Sequence, residues 1–421
     1  MRIPTFCTAM LAYLVIGHPT PALAQVDQQR AQEFFKEAQA VCERDGGRLW
    51  GASICMPVVL GDARTQTFAT SQPPPDAPRP RLIGLLNGPI KWGDTMWAAL
   101  MWDTVALQAP RLRSGMLIHE SFHIVQMRLG LSVETVSAEH LDSVDGRYWM
   151  RLEWRALARA LRESGEPRAL AIREALAFRQ ARHARFPDMV QSERAVEINE
   201  GLASYTQAVL PADSEADAIG RALDGLTGAE GGESFVRTFA YTSGPAYGLL
   251  LDAASPGWTR KIRASDDPAA LLMRALGVQP VADAAAAAAR YGGAELRAAE
   301  EQREQQRQAR IAELRRQFVD GPVLVMPGAG GGLSNSLGAV VIPDVGTIYF
   351  GPYRMTGEWG ALEADKGVFV STDGRTRRLP APVRRDDITV DGDGWTVKAK
   401  PGWVVREGVR RGDYELVRQQ P

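Results

Sequence analysis

His119-Glu120-Ser121-Phe122-His123 sets two imidazoles four residues apart, with a carboxylate beside the first. On a helix, residues four apart share a face, so His119 and His123 can hold one metal ion together. Glu120 then projects beside that ion, where it can take a proton from a bound water. The surrounding residues predict a helix on their own account. Ile118, Phe122, Val125 and Leu129 form an apolar stripe offset from the histidine face. Gly130 follows where a helix-ending residue belongs. The chain has only five histidines, and an accidental match is expected in about a few of every thousand such chains.

A catalytic zinc ion takes three protein ligands and leaves one position open for water. The leading third candidate is Glu200, in Asn199-Glu200-Gly201-Leu202-Ala203-Ser204-Tyr205. Gly201 and Ala203 are small and allow close approach to the histidine helix. Ser204, one turn on, can bond a ligand imidazole. Glu153, on a largely apolar helix, is the main rival, with a salt bridge to a neighbouring arginine as its ordinary alternative. Glu197, His140 and Asp142 also compete. Hydrolysis of a carbonyl needs a further donor for the developing oxyanion. Tyr241, Tyr247 and His140 are the candidates, although each tyrosine also reads as core. His183 lies on a polar helix and receives no role.

Taken together, His119-Glu120-Ser121-Phe122-His123 and Asn199-Glu200-Gly201-Leu202-Ala203 resemble the gluzincin zinc metallopeptidases, thermolysin-like enzymes and related forms with a downstream Asn-Glu-Gly-Leu-Ala motif. The resemblance implies a zincin-like fold and one zinc ion held by His119, His123 and Glu200. It implies Glu120 as general base and a peptide or protein substrate. It covers two short stretches within about 120–210. Glu200 follows His123 by 77 residues, far more than in thermolysin-like members, and Ser204 stands where those enzymes carry an aspartate.

The elements that must position these groups follow from periodicity and turn chemistry. Residues 25–45 read as a helix ended by Asp45-Gly46-Gly47, and 49–60 as a hairpin. Pro73 to Pro80 is an extended connector. Strands are expected at 81–86 and 95–105, with Trp92, Trp97 and Trp102 in the core. The strand before the histidine helix is placed to rim a substrate cleft, where an extended peptide could add to its edge. Helices are expected at 148–162 and 167–185, and from Asp188 with Gln191 as a capping-box partner. Residues 212–233, small and glycine-containing, read as a flexible loop. An apolar segment at 235–252 is interrupted by Ser243-Gly244-Pro245, and helix follows at 256–277. A long polar helix over 282–318 is broken near Gly292-Gly293. Beyond it, strand-like runs alternate with turns. Gly328-Ala329-Gly330-Gly331-Gly332 lacks the residues of a phosphate-binding loop.

At 421 residues the chain can build more than one core. Its 45% hydrophobic and 24% charged content is ordinary for a globular protein, and a net charge of −1 points to no nucleic-acid partner. Arg2, an apolar run and Ala22-Leu23-Ala24 read as a signal peptide cut before Gln25, hence a periplasmic or secreted protein. A retained anchor is the alternative. No second long apolar run follows, so the mature chain is not expected to span a membrane. In an oxidising compartment Cys42 and Cys55 are expected to pair, with two buried thiols as the alternative.

The expected fold class is α+β. Residues 1–24 form the signal and 25–280 a mainly helical zincin-like domain with a small N-terminal sheet. A polar helical linker spans 281–320 and a small all-β domain 321–421. The expected activity is that of an exported zinc peptidase. The alternatives are a catalytically weak binding or envelope-structure protein, or a zinc hydrolase of another amide or ester.

Overall fold

A computed structural model of the chain describes residues 25–419, apart from 64, 136, 329–330, 335–337, 352 and 387. The expected signal segment lies outside the described residues. The chain divides into two compact units, Met1–Arg297 and Ala298–Pro421.

The first unit opens with α1 (Gln28–Asp45), capped by the Asp27 side chain and ended by Gly46 at φ 55°. Strands β1 (Val58–Asp62), β2 (Thr67–Thr70), β3 (Gly88–Trp92) and β4 (Thr95–Met101) follow, then the short α2 (Trp102–Ala106) and the histidine helix α3 (Pro110–Arg128). The hairpin expected at 49–60 is instead β1 with β2, in register Val59 with Thr70. The strand expected at 81–86 begins later, as β3. Gly84, at φ 82°, turns the backbone and stops an extended run there. The run expected at 95–105 divides into β4 and α2.

The four strands form one sheet in the order β2-β1-β4-β3, which leaves β3 at an edge. Side chains alternate across it as the pleat requires. Val58, Leu60, Ala98 and Leu100 pack in the core that also holds Leu117 and Ile124 of α3. Val59, Trp97 and Ala99 pack on the opposite face with Ile83, Ile90 and Trp92. Trp92, Trp97 and Trp102 are all core residues. Cys42 and Cys55 form a disulfide, worth roughly 3 kcal/mol for a loop of this length in the chain-entropy picture.

Beyond α3 lie α4 (Val144–Arg162), α5 (Gly165–Arg185), α6 (Val190–Val196), a single π-helical turn at Glu197–Gly201, and α7 (Leu202–Val209). Then come α8 (Glu215–Ala229), α9 (Phe239–Ala254), α10 (Pro268–Leu276), α11 (Ala284–Ala288) and α12 (Gly293–Arg315). The loop expected at 212–233 is largely the helix α8. Ser214 caps it, and Ala218, Ala222 and Leu226 are buried at a spacing of four. That stripe supplies what the glycines lack in helix propensity. Pro245 sits inside α9 without ending it. Asp188 and Gln191 make no capping box: 187–189 is a 3-10 turn without a side-chain cap. Gly292, at φ 69°, separates α11 and α12. Among the described residues no helix is long and apolar enough to cross a membrane.

Helix α9 crosses the π turn at two glycines. A Cβ on Gly244 would lie 2.4 Å from Gly201 Cα, whereas one on Gly201 would meet Gly244 Cα at 3.4 Å. Gly244→Ala is therefore expected to cost about 1–3 kcal/mol by overpacking, while Gly201→Ala stays close to wild type. Urea melts of both variants check the contrast, and equal midpoints would refute it.

The second unit holds strands from β5 (Val323–Pro327) to β17 (Tyr414–Arg418), in one six-stranded and one seven-stranded sheet. Leu324, Trp359, Leu362, Leu379, Val397 and Leu416 lie in its core.

Candidate metal centre

Helix α3 is buried on two flanks. Leu117 and Ile124 belong to the core shared with the sheet, and Ile118, Phe122 and Val125 to the core of the helical bundle. The face left over carries His119, Glu120 and His123, which line a cavity of about 540 Å³. Burial of both flanks fixes the roll of the helix, so apolar packing aims the three polar groups. Arg113 adds a lock at the N-terminal end. Its guanidinium pairs with Glu37 of α1 at 2.8 Å and lies over the Phe34 ring at 3.8 Å.

Glu200 reaches the same cavity from the π turn. Its Oε2 lies 3.4 Å from His119 Nε2 and 3.6 Å from His123 Nε2. Three donors from these residues lie within 4.8 Å of one another and can hold a metal ion. Two donors each about 2.05 Å from a tetrahedral zinc would stand about 3.3 Å apart, close to the two Glu200–imidazole distances. Glu200 Oε2 is buried without a hydrogen-bond partner, as a carboxylate awaiting a cation would be. Two imidazoles and a carboxylate are a donor set zinc accepts. The residues fit the ion.

Burial pushes Glu200 up, but His119, His123 and the Tyr241 hydroxyl outweigh it and hold the carboxyl well below the usual range. Burial also raises Glu120, against the two imidazoles that favour its ionised form. Tyr241 stacks on the His119 ring at 5.4 Å between centroids and 8° between planes. Its phenol is raised by burial and by the neighbouring Glu200 carboxylate.

Two side chains tie α3 and the segment that follows it to the π turn. Gln126 Nε2 donates to Ile198 O at 2.6 Å, and its Oε1 lies 3.0 Å from His123 Nδ1. Asn199 accepts from Val133 N at 3.0 Å and donates to Val133 O. Neither role was read from the sequence. A polar residue buried one turn beyond His123 is a faint signal, and a backbone clamp leaves none.

The other expected residues lie elsewhere. Tyr247 is buried and donates to Glu153 Oε1 at 2.6 Å; it does not line the cavity. His140 bonds Glu193 at 2.7 Å and does not line it either. The rival ligands are similarly engaged. Glu153 pairs with Arg182 at 2.5 Å, Glu197 with Arg179 at 2.5 Å, and Asp142 accepts from Phe235 N. Ser204 Oγ is buried and bonds neither imidazole; among the described residues it has no hydrogen-bond partner. His183 also bonds Glu193.

These groups form a buried ionic cluster that behaves as a fold element. Burial opposes ionisation of Glu193, but Arg182, His140 and His183 hold its carboxyl well below its ordinary 4.5. A depressed carboxyl contributes stability above its unfolded value and loses it as pH falls. His183, lowered by burial from 6.5, acts in the same direction, because the unfolded chain takes up its proton first. The Glu193 contribution to unfolding free energy is therefore expected to be lost as pH falls below 4.5, whereas buried Glu197, pushed up to about 7 by burial, acts in the opposite direction to His183 between pH 7 and 4.5. Urea melts across pH 3–8 check this, with Glu193→Gln expected to flatten the lower limb; an unchanged slope would refute the assignment.

No family model matches this chain, and neither does any curated protein or solved structure.

Proposed function

We propose that this chain is an exported zinc-dependent peptidase with a zincin-like catalytic unit. The observation that carries the reading is the convergence of His119, His123 and Glu200 on one point, with Glu120 beside it, in an open cleft. A site serving structure alone has no need of an uncommitted carboxylate at that place.

A zinc ion held there would acidify a bound water and polarise a substrate carbonyl. Glu120 accepts the water proton and passes it to the departing amine. Tyr241 stands at the cleft, 45% exposed, and its hydroxyl donates to the carbonyl oxygen as negative charge develops. Substrate lies along β3, whose first residues Gly88 and Pro89 line the cleft with Asn87.

The lining favours internal peptide bonds. Among the described residues no lysine or arginine lines the cleft to hold a terminal carboxylate, and of the acidic groups there Glu200 faces the imidazoles and Glu120 is assigned the proton transfer. Leu112, Met116 and Met127 supply apolar, adaptable walls.

Metal analysis of the purified protein, with mass spectrometry of a mixed-peptide library, tests the reading. One equivalent of zinc is expected, with internal cleavage beside apolar residues, lost on chelation and restored by zinc. Zinc without cleavage of any peptide would replace the peptidase reading with that of a binding protein. Absence of bound metal would remove both.

A further inference from the structure

Gln126 lies one turn beyond His123 and is 2% exposed. Its Nε2 is 2.6 Å from Ile198 O and 3.2 Å from Asn199 O, and its Oε1 is 3.0 Å from His123 Nδ1. Backbone carbonyls only accept, so they settle which way the amide faces. The NH2 group points at the turn and the oxygen at the imidazole. An amide oxygen also only accepts, so His123 carries its proton on Nδ1. Its Nε2 lone pair is then left for the space shared with Glu200, which is the form a metal ligand requires.

The two carbonyls belong to the π turn at Glu197–Gly201. A π turn shifts backbone pairing from i+4 to i+5 and leaves a carbonyl short of its α-helical donor. Gln126 supplies donors at that place. The inserted residue also matters for aim. In an uninterrupted α-helix the side chain at position 200 would be rotated by about 100°, one residue's step.

We infer that Gln126 is a positioning residue of the metal centre. One side chain selects the His123 tautomer and stabilises the backbone turn that directs Glu200 at it. The inference rests on the metal-site part of the reading above and not on peptidase activity.

Two variants separate its halves. Gln126→Met keeps the approximate volume and loses every hydrogen bond. Gln126→Glu keeps an acceptor for His123 and loses the donors to the turn. Nitrogen-15 NMR of histidine-labelled, metal-stripped protein, taken at a pH where the ring is neutral, reads the tautomer. Wild type and Gln126→Glu are expected to show His123 protonated on Nδ1, and Gln126→Met to gain the Nε2-protonated form. Zinc affinity, read by competition with a chromophoric chelator, is expected to fall about 10- to 100-fold in both variants. Circular dichroism confirms that each is folded. If Gln126→Met does not fold, the wild-type tautomer and the Gln126→Glu affinity still decide. Wild-type His123 protonated on Nε2, or zinc affinity within twofold of wild type in the folded variants, would overturn the inference. A protein that binds zinc with the expected tautomer yet cleaves no peptide would refute the peptidase reading and leave this one standing.

Discussion

Glu120→Gln is expected to keep its metal and lose its turnover, with kcat falling by about 10²- to 10⁴-fold. The amide matches the carboxylate in size but cannot accept a proton from a neutral donor. Glu120 is outside the triad of His119, His123 and Glu200, so zinc stoichiometry stays at wild type. KM is expected to change little, because the proposed substrate contacts, the apolar cleft walls and β3, are the same in both proteins. Paired measurement of zinc content and peptide turnover checks the separation. Wild-type turnover in the loaded variant would mean that another group takes the proton.

The second large effect is a double dissociation between two glutamates. Glu153 has no exposure. It lies 2.5 Å from Arg182 Nη1 and 3.6 Å from Arg179 Nη1, and accepts from Tyr247 at 2.6 Å. Removing it strips a partner from guanidinium groups that water cannot reach. Glu153→Ala is therefore expected to cost about 3–5 kcal/mol while its folded fraction still binds one zinc. Glu200 behaves in the opposite way. Its side chain is 26% exposed and faces two imidazoles rather than a buried guanidinium, so Glu200→Ala is expected to destabilise the metal-free protein less than Glu153→Ala does. Zinc affinity in Glu200→Ala is expected to drop by more than the roughly 100-fold upper bound for outer-shell partners. Urea melts and zinc titrations of both variants decide. Metal loss in folded Glu153→Ala, or full retention in Glu200→Ala, would reverse the ligand assignment.

Much of the histidine helix was legible without coordinates. Local periodicity sets α3, with Gly130 at φ 68° beyond its end. The four-residue spacing of His119 and His123 puts both rings on one face. Cys42 and Cys55 pair as parity and an oxidising compartment suggested. The break at Gly292 likewise followed from turn chemistry. Composition misled where it was weighed above periodicity. The glycines of 215–229 suggested a loop, although Ala218, Ala222 and Leu226 already marked a helical stripe.

The choices that the sequence left open have a different cause. Tyr241 and Tyr247 stand six residues apart on α9, and nothing local distinguishes them. Packing turns Tyr241 to the His119 ring and Tyr247 to the buried Glu153–Arg182 pair. Glu197 and Glu200 would lie nearly one above the other on an α-helix. The π turn sends the first to Arg179 and leaves the second at the histidines. That turn is held by contacts from α3, some seventy residues earlier in the chain.

By itself, then, the sequence determined the pair of histidines that can hold a metal ion, the carboxylate beside it and the elements that local periodicity can specify. Only tertiary structure decided which distant carboxylate joins the two histidines, which tyrosine faces the cleft and which side chain meets His123 Nδ1. The physical reason is range. Helical spacing and turn chemistry act over a few residues, whereas the aim of Glu200 depends on hydrogen bonds and close packing between segments that meet only when the chain folds.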